Sequence, residues 1–321
     1  MRCIVVEKIG SFAVAERDIP SPGRGEVLVK VGVAGLCRTD LKIIRVGHRD
    51  LVLPRIPGEE VVGTICEVGG DVRGFGCGQR VYVYPGVWCG ECRSCLQQAE
   101  NLCEHMQIMG FHRDGGFAEY VLAPVQSLIA VPDSLSDDEA VFAEPLSCCL
   151  NGLEVAGIEA GKTVGIWGAG PAGTLLHRLA LAHGAEPTNI EPDERRRELI
   201  GGVAAPPPNG FDICVVAVGS DGAYREALVA LNPRGTIVSF SGLPPSSSAL
   251  PVDFNAFHYH ETRLVGAYGC CYRHGEAALD LLAKREVVVE DMISHRLPLW
   301  ELEEALSVVE TRRGMKVLLY P

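Results

Sequence analysis

The stretch VGIWGAGPAGTLLHRLALAHGA, residues 164–185, decides how this chain folds. It runs from an apolar strand through Gly168-x-Gly170-x-x-Gly173 into an amphipathic helix. Alone, G-x-G-x-x-G says little; between a strand and a helix it has a mechanical meaning. The first glycine permits a tight turn, the second lets the backbone approach a pyrophosphate, and the third packs helix on strand. Pro171 and Ala172 complete the turn, so a diphosphate would sit at the N-terminus of the helix that follows. An acidic residue should close the next strand about 20 residues on. Glu191 ends PTNIE, 18 residues after Gly173. Its carboxylate suits the adenosine ribose hydroxyls and repels a 2′-phosphate, which points to NAD over NADP. The run Arg195-Arg196-Arg197 pulls the other way, unless it is a solvated helix face.

Working outward, strand candidates alternate with helices. They are TVGIW (163–167), a helix over 171–184, PTNIE (187–191), a helix near 193–200, DICVVAVG (212–219), a helix near 221–231, GTIVSFSG (235–242) and RLVGAYG (263–269). That order implies a doubly wound parallel sheet with helices on both faces. VAAPPPNG (203–210) and LPPSSSALP (243–251) read as loops. Residues 1–145 differ. Short Val/Ile runs such as EVLVKVGVAG, EEVVGTICEVG, QRVYVYPG and GGFAEYVLAP are broken by Gly and Pro, as in a β-rich, barrel-like unit. After residue 272 come a helix (274–285), an extended piece at ISHRLPL, a helix (300–312) and a final strand KVLLYP.

A chain of 321 residues exceeds one ordinary core, so two domains are expected. The formal net charge of −12 argues against nucleic acid or an anionic membrane as the main partner. The opening MRCIVVEKIG lacks a basic segment followed by an apolar one, so no signal peptide is expected. The 13 cysteines then read as thiols or metal ligands in a reducing, cytoplasmic setting. CGECRSCLQQAENLC places Cys89, Cys92, Cys95 and Cys103 at spacing C-x2-C-x2-C-x7-C. Four thiolates that close can complete a tetrahedral shell with no open position, which is a structural zinc. An iron–sulfur cluster also takes four cysteines, but nothing else in the chain suggests electron transfer.

A second constellation lies in the β-rich part. GLCRTD (35–40) sets Cys37 beside Thr39 and Asp40, IPGEE (56–60) supplies Glu59 and Glu60, and AEPLSC (143–148) supplies Glu144. Cysteine, hydroxyl and carboxylates on separated loops are what an open, catalytic zinc site draws on.

With these motifs the chain resembles the zinc-dependent medium-chain alcohol and polyol dehydrogenases. GLCRTD, PGEEVVGTICEVG, the four-cysteine lobe, GGFAEYV, EPLS, GAGPAG and ISHRLPLWELEEAL…MKVLLYP carry the resemblance over nearly the whole sequence. EPLS is similar to the sorbitol and threonine dehydrogenase branch. The resemblance implies a GroES-like catalytic domain over 1–147 with a zinc lobe at 86–105. A Rossmann NAD-binding domain would span 148–271, and 272–321 would return to the first domain. It implies Cys37 as the thiolate ligand of the catalytic zinc, with Glu60 and Glu144 ligating or approaching it. Thr39 would take the proton of the substrate alcohol. Arg38 would contact the NAD pyrophosphate, assisted by Lys316, and Arg196 would lie over the adenosine. It also implies a homodimer or homotetramer.

Two positions depart from the family. Glu59 stands where a histidine ligates the metal, and Lys42 stands where a histidine continues the proton relay. A charged ammonium is a poor relay, so water is the alternative exit. In the family Asp40 holds the ligand histidine from behind. Glu59 instead brings a carboxylate towards Asp40, and two close like charges do not both ionise cheaply. Three outcomes follow: an oxygen-rich zinc site with one carboxylate protonated or turned away, a site for another divalent ion, or weak metal binding. The expectation is that Cys37 and Glu59 bind the metal with Glu60 or Glu144 as third ligand. Adjacent strand residues point to opposite faces, so Gly58 would have to supply an irregular backbone for both carboxylates to share one ion.

The leading function is an NAD(H) oxidoreductase acting on a secondary alcohol or its ketone, the alcohol being a polyol, cyclitol or amino-alcohol. The rivals are a catalytically impaired NAD-binding sensor or structural protein, and a metal-free C=C reductase of the same superfamily. The candidate metal ligands weigh against the reductase. Cys148, Cys149, Cys270 and Cys271 read as buried small residues, and His258, His260 and His295 as structural. His48 and His112 sit in loops, bordering the substrate cleft or simply solvated. The interval from Glu191 to Phe211 is short for the family, which would leave the adenine side more open.

Overall fold

The computed structural model describes all residues except 245, 246 and 248. The loop reading of 243–251 therefore lies in part outside the described residues. The chain divides into two compact units, Met1–Glu144 with Cys271–Pro321, and Pro145–Cys270.

The first segment carries strands β1 (Arg2–Lys8), β2 (Ser11–Glu16), β3 (Glu26–Leu36), β4 (Glu60–Val68), β5 (Arg80–Val83), β6 (Gly86–Val87), β7 (Gln107–Ile108), β8 (Tyr120–Pro124) and β9 (Leu128–Ala130). Helices α1 (Arg38–Arg45), α2 (Arg93–Leu96) and α3 (Asp137–Ala140) interrupt or follow them. Helix α4 is Ala143–Ala156. The second unit then runs β10 (Thr163–Trp167), α5 (Pro171–Ala182), β11 (Glu186–Ile190), α6 (Glu194–Ile200), β12 (Phe211–Val216), α7 (Asp221–Val229), β13 (Leu231–Ser239), α8 (Phe254–His260) and β14 (Arg263–Gly266). The chain closes with α9 (Tyr272–Ala283), β15 (Ile293–Pro298), α10 (Leu302–Glu310) and β16 (Lys316–Tyr320).

In the first unit seven strands join in the order β15-β16-β3-β4-β5-β9, with β8 added on β3. The long β3 is its spine. Val29, Val31 and Val33 point into the core while Lys30 and Gly32 face out, the period of two that the sequence shows. The core gathers Val27, Val61, Ile65, Val81, Phe117 and Leu128, and the last strand adds Val317 and Leu319.

In the second unit five strands run parallel in the order β11-β10-β12-β13-β14. Val164, Ile166 and Trp167 of β10 and Leu175, Leu176 and Leu179 of α5 are buried. Gly165 has no side chain because the Phe211 ring occupies that space; a Cβ there would lie 2.5 Å from it. After α6 the chain returns at once to β11, where Val203 forms a parallel bridge with Ile190. The short interval from Glu191 to Phe211 is thus one helix and one bridge.

Helices α1, α4 and α8, and the one-turn helices α2 and α3, escaped the sequence reading. Helix α1 hides behind polar, turn-like letters, yet it begins with a capping box. Asp40 Oδ2 accepts the Cys37 N–H at 2.9 Å, and the Cys37 sulfur accepts the Asp40 N–H at 3.4 Å. Leu41, Ile43 and Ile44 then bury. The signal was an S/T-x-x-D box with cysteine in the hydroxyl's place. Helix α4 contains Pro145 and Gly152, and α8 is mostly exposed, so neither shows a clean apolar stripe.

Candidate active site

The candidate metal ligands are not on separated loops, as the sequence suggested. Cys37 caps α1, Thr39 and Asp40 lie in its first turn, Glu59 directly precedes β4, Glu60 opens that strand, and Glu144 is in the first turn of α4. Gly58 has φ of +102°, a conformation that favours glycine, and a Cβ there would sit 2.6 Å from Phe117. The kink aims Glu59 at α1. One ligand atom each from Cys37, Asp40 and Glu59 lies within 4.8 Å of the others. Asp40 is fully buried, and its Oδ1 has no hydrogen-bond partner.

Glu60 goes elsewhere. Its carboxylate pairs with the Lys316 ammonium of β16, both side chains being almost wholly buried. In the register Gly35 of β3 stands opposite both Glu60 and Leu318, so a glycine separates the two charged strands. Glu144 is not within the Cys37 group, though its charge acts on Lys316. Arg38 is exposed on the first turn of α1, Thr39 half-buried and Lys42 exposed.

Burial pushes the Cys37 thiol well above its ordinary value; Asp40, Glu60 and Glu59 add to this and Lys316 opposes it. Burial also carries Asp40 up to about 6, against hydrogen bonds from Cys37. Burial works against the Lys316 charge, but Glu60, Cys37 and Glu144 outweigh it and hold the ammonium above its usual range. Three acids crowd one spot, Asp40 buried and Cys37 and Glu59 half-buried, which is the environment a divalent ion relieves.

Cys89, Cys92, Cys95 and Cys103 converge within 4.8 Å. Cys92 and Cys95 sulfurs are 3.5 Å apart, and Cys103 and Cys89 3.6 Å. Backbone N–H groups of Cys89, Cys92 and His105 donate to these sulfurs at 3.3–3.4 Å, the donors that favour thiolate. Donors at Cys95 and Glu104 bring Cys92 down to about 6. The donor set fits a closed zinc shell. Cys271 is more than a buried small residue. Its thiol donates to Asn101 Oδ1 at 3.1 Å, and Tyr272 N–H donates to Glu100 at 2.8 Å, tying the lobe to α9.

In the second unit Gly168 has φ of +116°, and a Cβ on Gly173 would strike the Gly168 carbonyl. Gly170 faces Arg196, whose Nη1 lies 3.3 Å from where a Cβ would be. Glu191 is buried; it accepts the Ala169 N–H at 2.9 Å and the Asp193 N–H at 3.1 Å. Arg197 is occupied by the carbonyls of Glu191 and Pro192. Sequence reasoning missed Asn189. It is 1% exposed, and its amide donates to the carbonyls of Gly168 at 2.8 Å and Gly173 at 3.1 Å, while His177 meets its Oδ1 at 2.7 Å. It clamps the glycine turn from below, and its place within PTNIE was the available clue.

No described helix is long and apolar enough to cross a membrane. Residues 23–133 match the alcohol dehydrogenase GroES-like domain. L-threonine 3-dehydrogenase of Pyrococcus abyssi is 32% identical over 95% of this chain and 94% of its own. A structure described as a zinc-binding dehydrogenase from Sinorhizobium meliloti 1021, bound to NADP, superimposes with TM-score 0.92 at 31% identity, covering 100% and 99% of the two chains. A structure described as an E. coli CFT073 alcohol dehydrogenase complexed with NADH gives TM-score 0.91 at 27% identity, covering 100% and 99%. With this coverage and identity, the chain is an oxidoreductase of alcohol-dehydrogenase type and belongs to the zinc-dependent medium-chain alcohol and polyol dehydrogenase family.

Proposed function

We propose that this protein is an NAD-dependent, metal-dependent dehydrogenase interconverting a secondary alcohol, namely a polyol, cyclitol or amino-alcohol, with its ketone. The observation that carries the reading is the convergence of Cys37, Asp40 and Glu59 on one half-buried spot at the cap of α1. When bound, a divalent ion supplies Lewis acidity towards a hydroxyl and NAD supplies the hydride acceptor. Thr39, two residues beyond Cys37 on α1, takes the hydroxyl proton. Lys42 is exposed to solvent, so the proton leaves Thr39 through water. The turn Gly168–Gly173 cradles the diphosphate of the cofactor, and Arg38 offers a guanidinium that suits the same charge.

Glu191 supports NAD, because a buried carboxylate beside the turn disfavours a 2′-phosphate. Cys89, Cys92, Cys95 and Cys103 hold a structural zinc. Thirteen cysteines, of which Cys37 and the four of the lobe are offered to metal, support a reducing, cytoplasmic setting. A homodimer or homotetramer is supported by β14, an outer strand of its sheet with Leu264 and nearby Tyr268 exposed.

The test is NADH formation across a panel of polyols, cyclitols and amino-alcohols, with protein purified without chelator and its metal content measured. Turnover with a second ion beyond the four-cysteine zinc is expected. Tight NAD binding without turnover under any supplied metal would favour an NAD-binding sensor, a reading that the carboxylate at position 59 keeps open.

A further inference from the structure

This inference rests on the dehydrogenase reading and concerns which atoms hold its metal. In the family pattern Asp40 stands behind an imidazole and accepts its N–H. Glu59 has no N–H to give, so that role for Asp40 is gone. The structure shows what remains. Asp40 is fully buried. Oδ2 is fixed by the Cys37 N–H at 2.9 Å, while Oδ1 has no partner. An unpartnered oxygen of a buried carboxylate is costly unless a cation meets it. Asp40 also belongs to the group, with Cys37 and Glu59, whose ligand atoms lie within 4.8 Å. Glu60 has its cation already, in Lys316.

We propose that Asp40 is a direct ligand of the catalytic metal ion, completing with Cys37 and Glu59 a set of one sulfur and two carboxylates. Lys316 keeps Glu60 out of that set, and Glu144 is not part of it. Three anionic donors against a dipositive ion leave one negative charge, next to the neutral Glu60–Lys316 pair. Three protein ligands leave an open position for substrate or water. Two hard oxygens in place of an imidazole shift the preference from zinc towards harder ions such as manganese(II). The departure at position 59 thus turns Asp40 from a positioning residue into a ligand.

The experiment is cadmium-113 NMR of the full chain loaded with cadmium, on the parent, on Asp40→Asn, on Glu144→Gln and on the double variant Glu60→Leu, Lys316→Met. The parent should give two resonances, one from a four-sulfur site and one from an oxygen-rich site. Asp40→Asn should shift or abolish the oxygen-rich signal and leave the four-sulfur signal, with circular dichroism like the parent's reporting that the chain is folded. Glu144→Gln and the double variant, which removes Glu60 together with its cation, should leave both signals in place. If the oxygen-rich signal persists unshifted in Asp40→Asn, or is lost in Glu144→Gln or in the double variant, the proposal is overturned. The last two variants can overturn the proposal even if Asp40→Asn does not fold. A parent with the four-sulfur signal alone overturns both this ligand set and the metal part of the proposed function, whereas a normal oxygen-rich site without turnover of any alcohol overturns only the latter. Competition between zinc and manganese(II) for the same site should favour manganese(II) more in the parent than in Glu59→His.

Discussion

The Glu60 carboxylate reaches Lys316 across a gap that Gly35 leaves open, joining two strands that do not pair with each other. Both partners are nearly inaccessible, at 1% and 3% exposure. Removing one charge leaves the other buried and unpaired, which costs about 3–5 kcal/mol. Lys316→Met should therefore lower the urea midpoint of the first unit sharply. The double variant Lys316→Met, Glu60→Leu should recover much of the loss. A double variant as unstable as the single one would show that packing, not charge pairing, sets the cost.

Gly35 is tested separately. A methyl there would collide with the Glu60 carboxylate and crowd its Cβ. Gly35→Ala should destabilise by about 1–3 kcal/mol, as overpacking does. Combined with Glu60→Ala the effect should be markedly less than additive, because the residues share the same space. Strict additivity of thermal midpoints would mean that Gly35 answers to something other than Glu60.

The four-cysteine lobe predicts a local response to metal removal. Its helices are one turn or less, so little besides the metal and the contacts to α9 orders it. Chelation, or Cys95→Ser, should release one zinc per chain and raise amide exchange over residues 86–105. Strand β3 should stay protected. Protection of the lobe that survives zinc loss would argue for a metal-independent fold there.

Around the glycine turn two side chains have separable effects. Asn189→Ala removes a buried donor from the carbonyls of Gly168 and Gly173, leaving them short of a partner at a cost of about 1–3 kcal/mol. It should weaken both dinucleotides alike. Glu191→Ala should weaken NAD while strengthening NADP, because it removes the charge opposed to a 2′-phosphate. Fluorescence titration with each cofactor gives the ratio, and an unchanged ratio would remove Glu191 from the cofactor's selection.

Asp212 links stability of the second unit to pH. Partial burial pushes its carboxyl up, but the N–H and hydroxyl of Thr163, with Asn232 and Lys162, outweigh this and hold it below its ordinary 3.8. A carboxyl lowered on folding binds its proton more weakly in the folded state. Its contribution is complete above the unfolded value and is lost as pH falls through the lower folded one. The stability gap between the parent and Asp212→Asn should be constant near neutrality and shrink as the solution is acidified. Chemical denaturation from pH 7 down to about pH 3 reads it; a gap that widens in acid would contradict the assignment.

Much of this molecule was legible in the letters. Spacing alone grouped Cys89, Cys92, Cys95 and Cys103, since four close thiols have few other uses. Period-two valines marked β3, and the alternation of apolar runs with amphipathic ones marked the parallel sheet. These are local patterns, and local periodicity is what a sequence displays directly. Helix α1 was missed because its start signal depends on a sulfur acting as a cap, and the capping box appears only when Cys37 and Asp40 are seen bonded. The partition of the acids was beyond the sequence altogether. Glu59 and Glu60 are neighbours with the same chemistry, so no pattern distinguishes them. Their roles were decided by a left-handed glycine before them, by a missing side chain at Gly35, and by a lysine 256 residues further on that the sheet brings within reach of Glu60 alone. Charge pairing acts through space, and only the tertiary fold determines which carboxylate meets the ammonium and which is left facing Cys37 and Asp40.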